Sequence, residues 1–265
     1  MIAVRASGHK SGAEMTRGRS CQARPVTAAE RNAEQIESRL REVGTAERAE
    51  SEKRYLKSSL EHLGASLPQV RAEARPAAKA VSSHAELLDL AAALWSKPVH
   101  ERRLCAVFLL EARVDLLRPR DLPAIQRLVR ESKTWALVDG LAVNVLGELL
   151  VLYPDAASRL DRWAGADDFW VRRSALLSQL RPLRAGAGFD RFAGYAEAML
   201  EEREFFIRKA IGWVLREAGK TRPDEVYEWL LPRAARASGV TMREAVKYLP
   251  SGQREALLAA RAGDR

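Results

Sequence analysis

The chain has 265 residues, 47% of them hydrophobic and 30% charged, which is enough apolar material for one sizeable core. Its 44 Lys and Arg outnumber 35 Asp and Glu, giving a formal charge of +9 and a pI near 9.9, a balance that suits a polyanionic partner because a positive field steers and retains phosphate. Two cysteines, Cys21 and Cys105, exclude a disulfide framework, and His9, His62, His84 and His100 form no ligand spacing with them, so neither a structural metal nor a cofactor is expected; apolar runs such as LAAALW at 90–95 fall short of the roughly 20 residues that span a bilayer, so no membrane role is expected either.

Residues 1–26 read as a basic extension without a fold. The first 24 carry five Lys or Arg, a single acid, Glu14, and interspersed Ser and Gly, with no apolar stretch for a secretory signal. A transit peptide shares part of that composition, and an upstream start ahead of Met15 gives the same pattern. From residue 27 to 250 apolar positions recur at three and four, with polar turns roughly every 12 to 18 residues. Turn signals fall at Gly44, Gly64 to Pro68, Ser82 and Ser83, Ser96 with Pro98, Arg118 to Pro123, Pro154, Gly165 to Asp168, Arg184 to Gly188, Gly219 to Pro223 and Ser238 to Thr241. They predict about a dozen short helices. Ser96 is expected to cap one of them, with Pro98 and Glu101 in its first turn. The spans 83–113, 120–152, 155–184, 188–219 and 222–249 each read as two antiparallel helices of about 30 residues in total. Stacked hairpins of this kind bury each other's apolar faces, so the fold class is all-α, an α-solenoid with one extended concave surface. Residues 251–265 read as a C-terminal tail.

Three stretches depart from an ordinary amphipathic pattern. In SKTWALVDGLAVNVLGELL, Trp135 and Asp139 are four apart and share a helix side. Asp is a poor interior residue and Gly140 beside it costs roughly 1 kcal/mol relative to Ala. One reading is an exposed Asp beside a core Trp. The other is that Gly140 admits a large ligand, with Trp135 as contact surface and Asp139 as charge partner. In DDFWVRRSALLSQLRPLR at 167–184, acids open a helix at its positive end, and Trp170, Arg173, Ser174 and Arg181 lie on one flank. Arg173 and Arg181 stand about 12 Å apart along the axis, a separation that serves two phosphates or a phosphate and a carboxylate, although single arginines at such positions are usually solvated. In EFFIRKAIGWVLREAGK at 204–220, Phe206, Ile207, Ala210, Ile211, Val214 and Leu215 make a buried stripe, while Lys209, Trp213, Arg216 and Lys220 share the other face. Indole among cations suits a nucleic-acid groove as well as it suits partial packing.

The motifs FFIRKAIGWVLRE, TWALVDGLA, FWVRRSALLSQL and RYLKSSLEHLG resemble, in the same order, those of the AlkD family of bacterial DNA alkylation repair glycosylases, over roughly residues 50–250. The resemblance implies a solenoid of HEAT-like repeats whose concave face holds duplex DNA, and hydrolysis of the N-glycosidic bond of cationic N3- or N7-alkylated purines. It implies a catalytic set of Asp139, Trp135, Trp213 and Arg173: Asp139 as the carboxylate, the two indoles flanking the lesion's sugar and backbone, and Arg173 as the basic partner that positions a phosphate while keeping Asp139 ionised. Tyr55 and Arg181 fall at DNA-facing positions, with Lys209, Arg216 and Lys220 as phosphate contacts. Ser66 stands where a member of the family has a glutamine directed at the lesion, and its shorter side chain implies a changed or widened lesion preference; it also reads as a turn residue that caps the following helix. A monomer in the cytoplasm acting on alkylated duplex DNA is expected. The competing readings are a non-enzymatic solenoid that binds distorted or branched DNA or scaffolds a repair complex, and a protein-binding scaffold whose aromatics dock a partner helix.

Overall fold

A computed structural model describes residues 25–262; the expectations for residues 1–24, Cys21 and His9 included, lie outside it. Helices run in the order α1 (Ala28–Val43), α2 (Ala46–Leu56), α3 (Leu67–Ala80), α4 (His84–Trp95), α5 (His100–Ala112), α6 (Leu122–Ser132), α7 (Trp135–Asp139), α8 (Gly147–Leu152), α9 (Asp161–Ala164), α10 (Phe169–Leu177), α11 (Leu180–Arg184), α12 (Asp190–Met199), α13 (Phe205–Ala218), α14 (Pro223–Leu230), α15 (Gly239–Ala245) and α16 (Ser251–Ala262). Among the described residues no strand forms beyond one isolated bridge between Glu61 and Val99. The all-α, helical-repeat reading holds.

Local chemistry sets the boundaries. Thr27 and Glu30 close a capping box on α1, with the Thr27 hydroxyl accepting from the Glu30 amide at 3.1 Å and the Glu30 carboxylate accepting from the Thr27 amide at 2.7 Å. Ser96, expected to open a helix, instead ends α4 and donates its hydroxyl to the Ala93 carbonyl at 2.7 Å. Glu101 is also diverted from its helix's own amides: it accepts from the Leu63 and Gly64 amides at 2.9 and 2.6 Å, because a loop 37 residues upstream packs over that end of α5. Residues 251–262 of the expected tail form α16, and Leu257 is fully buried. Its apolar spacing was sufficient for a helix; the partner surface was invisible to periodicity.

One continuous rod lies at the centre: α7 passes through a π-helical segment, Gly140–Leu146, into α8. By length and composition, Trp135–Leu152 is long and apolar enough to cross a membrane, which a count of unbroken apolar runs missed because Asp139, Asn144 and Glu148 interrupt it. Here its Leu137, Val138, Leu141, Ala142, Val145 and Leu146 are all 0% exposed within the fold, each large one stabilising the folded chain by about 1.5–3 kcal/mol. The helix packs against α5, α6 and α10.

Candidate active site

Asp139 is the last residue of α7, and it meets α10 at Arg173. Asp139 Oδ1 accepts from Arg173 Nε at 2.7 Å and Oδ2 from Nη2 at 2.8 Å, a two-pronged pair. Arg173 stands as the expected basic partner of Asp139, but at 2% exposure it is buried and not solvated. Its remaining terminal nitrogen, Nη1, donates to the Phe206 carbonyl on α13, and its guanidinium lies 5.7 Å over the Phe206 ring. With three of its nitrogens engaged inside the protein, Arg173 orients the carboxylate and ties three helices together. Asp139 itself keeps 17% of its side chain exposed.

The flanking elements are clamped in register. Asp168 caps α10 by accepting from the Trp170 and Val171 amides at 2.8 and 3.3 Å. Arg172 holds Glu202 through two bonds of 2.9 and 2.8 Å, which ties α10 to the segment leading into α13. Trp170, expected on the functional flank, is buried against Phe169 and Phe206, and Ser174 is 0% exposed with its hydroxyl on the Trp170 carbonyl; both are packing residues.

Trp135 opens α7 half-buried, with Tyr55 of α2 standing edge-on against it at 5.9 Å and 84°. Tyr55 is 73% exposed, so an aromatic pair stands at the surface one turn before Asp139. Trp213 is half-buried on α13. It lies seven residues on from Phe206, on the same helix face and roughly 10 Å along the axis.

The named cations divide. Lys209 is exposed, makes no ion pair among the described residues and sits 5.9 Å from the Phe205 ring. Arg216 is paired with Glu244 and Glu217, and Lys220 with Glu217 at 2.9 Å beneath the Tyr248 ring at 4.7 Å. Arg181 is held by Glu148 at 2.8 Å, Asn144 at 3.3 Å and the Val143 carbonyl at 3.1 Å. Asn144 and Glu148 went unnoticed in the sequence because Asp139 to Asn144 is a spacing of five. The π segment Gly140–Leu146 shifts the faces that follow it away from the positions an ideal 3.6-residue helix would give. Ser66 does sit at the N-cap of α3, but its amide and hydroxyl both donate to Gln69 Oε1 at 2.7 Å.

Gly140 answers a different need from the one expected. A Cβ there would stand 2.7 Å from Val107 Cγ1 of α5, so the missing side chain admits a neighbouring helix and not a ligand. Gly140→Ala is therefore expected to lower stability by roughly 1–2 kcal/mol, overpacking outweighing the better helix propensity, as read by urea denaturation. Adding Val107→Ala should recover part of that loss; a more stable Gly140→Ala would refute the packing account.

Residues 36–249 match the sequence model of the DNA alkylation repair enzyme family. A solved protein from Enterococcus faecalis, described as a predicted DNA alkylation repair enzyme, superposes with a TM-score of 0.71 at 27% identity, covering 78% of this chain and 97% of its own. AlkD2 from Streptococcus mutans gives 0.61 at 16% identity over 84% of this chain and 100% of its own. The protein smu.31 from Streptococcus mutans UA159 gives 0.55 at 19% identity over 80% and 100%. The last two share the fold. No protein of curated function matches this chain in sequence.

Proposed function

Since the chain belongs to the DNA alkylation repair enzyme family, we propose that it is a DNA glycosylase that hydrolyses the N-glycosidic bond of cationic N3- or N7-alkylated purines in duplex DNA. The observation that carries this reading is the two-pronged Asp139–Arg173 pair, with the carboxylate partly exposed one turn from the Tyr55–Trp135 aromatic pair. An alkylated purine already bears positive charge and leaves as a neutral base, so no general acid is needed. Bond breaking moves the positive charge onto the deoxyribose. A fixed carboxylate near C1′ stabilises that oxocarbenium-like state more than the ground state, and can orient the attacking water. Trp135 and Trp213 supply indole faces to the charged sugar and the backbone beside it. No cofactor takes part in this scheme.

Ser66 supports a lesion preference unlike that of glutamine-bearing relatives, because its hydroxyl is occupied by Gln69 and reaches no further than its own turn. Tyr55, Lys209, Arg181, Arg216 and Lys220 are the proposed contacts to duplex DNA, bound by a monomer in the cytoplasm. The assay that tests the activity is release of methylpurine from alkylated duplex DNA. The DNA contacts have a separate check. Four phosphate contacts give a log–log salt slope of about −4, and Lys209→Ala, which removes the exposed and unpaired cation, should flatten it by about 1. An unchanged slope would remove Lys209 from the interface.

A further inference from the structure

The N-terminal end of the solenoid gathers a second set of polar side chains that the repair reading leaves unused. Glu52 on α2, His62 in the loop that follows and His100 at the first position of α5 each offer one nitrogen or oxygen atom, and these lie within 4.8 Å of one another. The His62 side chain and His100 are each 1% exposed. Yet Glu52 Oε2, both ring nitrogens of His62 and His100 Nδ1 have no hydrogen-bond partner among the described residues; His62 Nδ1 to Glu52 Oε2, at 3.7 Å, is too long for one. Buried polar atoms are almost always satisfied, so four at one place ask for a ligand.

The backbone cannot relieve them by moving apart. The His100 amide donates to the Glu61 carbonyl at 2.8 Å, and the Glu61 amide to the Pro98 carbonyl at 2.9 Å. Glu101 holds the next two amides of the same loop. Gly64, at φ 81°, passes so close to α2 that a Cβ would stand 2.0 Å from the Thr45 carbonyl oxygen. The loop is thus pinned on both sides of His62.

We propose that Glu52, His62 and His100 bind one divalent transition-metal ion, with Zn2+ the best match. Two imidazoles and a carboxylate suit a borderline ion such as zinc, whereas Mg2+ and Ca2+ favour shells made up mostly or wholly of oxygen. Tetrahedral zinc at about 2.0–2.1 Å from each ligand sets ligand atoms about 3.4 Å apart, so the side chains close on the ion by rotation. The two rings stand 4.5 Å apart and within 9° of parallel; one turns about its Cβ–Cγ bond to aim its lone pair at the ion. Glu52, 25% exposed, leaves the fourth position to water. The ion would tie α2 to the loop and to α5, and Tyr55 lies three residues beyond Glu52 on α2. It would thereby steady the tyrosine that meets Trp135.

The full chain, stripped with chelator and titrated with Zn2+ against a chromophoric competitor, should take up one ion with submicromolar affinity and rise in Tm. Mg2+ and Ca2+ at the same concentration should produce neither effect. Glu52→Gln, at the partly exposed ligand, and His62→Gln should each weaken uptake by at least roughly tenfold, and Asp139→Asn should bind as wild type does, which separates this result from the catalytic reading. Co2+ should give d–d absorption without a thiolate charge-transfer band, setting Cys21 and Cys105 aside. No uptake by the wild type, or equal uptake by Glu52→Gln and His62→Gln, overturns the site.

Discussion

Asp139→Asn is expected to release methylpurine from alkylated duplex DNA at least roughly 100-fold more slowly than the wild type, a barrier increase of about 2.7 kcal/mol. The amide has nearly the shape of the carboxylate but lacks the charge that opposes the developing oxocarbenium ion. It also offers one acceptor where Arg173 presents two donors, so one buried N–H loses its partner at a cost of about 1–3 kcal/mol. Circular dichroism at 25 °C should therefore show an intact helical fold with a lowered Tm. Affinity for duplex DNA should stay close to wild type, because it rests on cations elsewhere. Excision within tenfold of the wild type would remove Asp139 from the chemistry. A wild type that binds duplex DNA and releases no base would instead favour the non-enzymatic reading.

Arg173→Met should produce the largest loss of stability. Removing one partner of a buried ion pair leaves the other uncompensated, at 3–5 kcal/mol in general. Because Asp139 remains 17% exposed, the lower end, about 3 kcal/mol, is expected here, or a Tm lower by roughly 6–12 °C for a domain of this size. Excision should fall as well, since Arg173 holds both oxygens of the Asp139 carboxylate. The double variant Arg173→Met with Asp139→Asn should be more stable than Arg173→Met alone, the neutral amide being cheaper to leave unpaired. Strict additivity in that cycle would mean that the pair is not coupled. Arg173→Lys supplies one ammonium in place of a planar fork, so it should recover stability in part while leaving excision impaired.

Much of this architecture was open to a reader of the amino-acid string. The stripe of Ile207, Ala210, Ile211, Val214 and Leu215 on α13 is written in its spacing and is fully buried. Phe206 departs from it: the side chain is half-buried, its carbonyl accepts from Arg173 Nη1, and its ring lies against Trp170. The W-x-x-x-D pair was equally legible, since both residues lie within one turn. What lay beyond reach were relations that cross between helices or depart from ideal helical geometry. Glu101 reads as an N-terminal acid until the loop at Leu63 covers it. Gly140 reads as an opening for a ligand until Val107 fills the space. Arg173 reads as the basic partner of Asp139, as it is, but Arg181 reads as a phosphate contact until Glu148 and Asn144 claim it.

The sequence by itself determined that this chain is a run of amphipathic helices with a net positive charge and an acid, two indoles and several cations in family order, because hydrophobic period, capping and composition act over a few residues. Only the tertiary structure decided which cations are paired inside the fold, that all three nitrogens of the Arg173 guanidinium are engaged by Asp139 and the Phe206 carbonyl, and that Glu52, His62 and His100 converge from positions up to 48 apart in the chain. Those outcomes depend on packing between segments distant in sequence, and at Arg173 burial makes unpaired charge costly and so selects its partners.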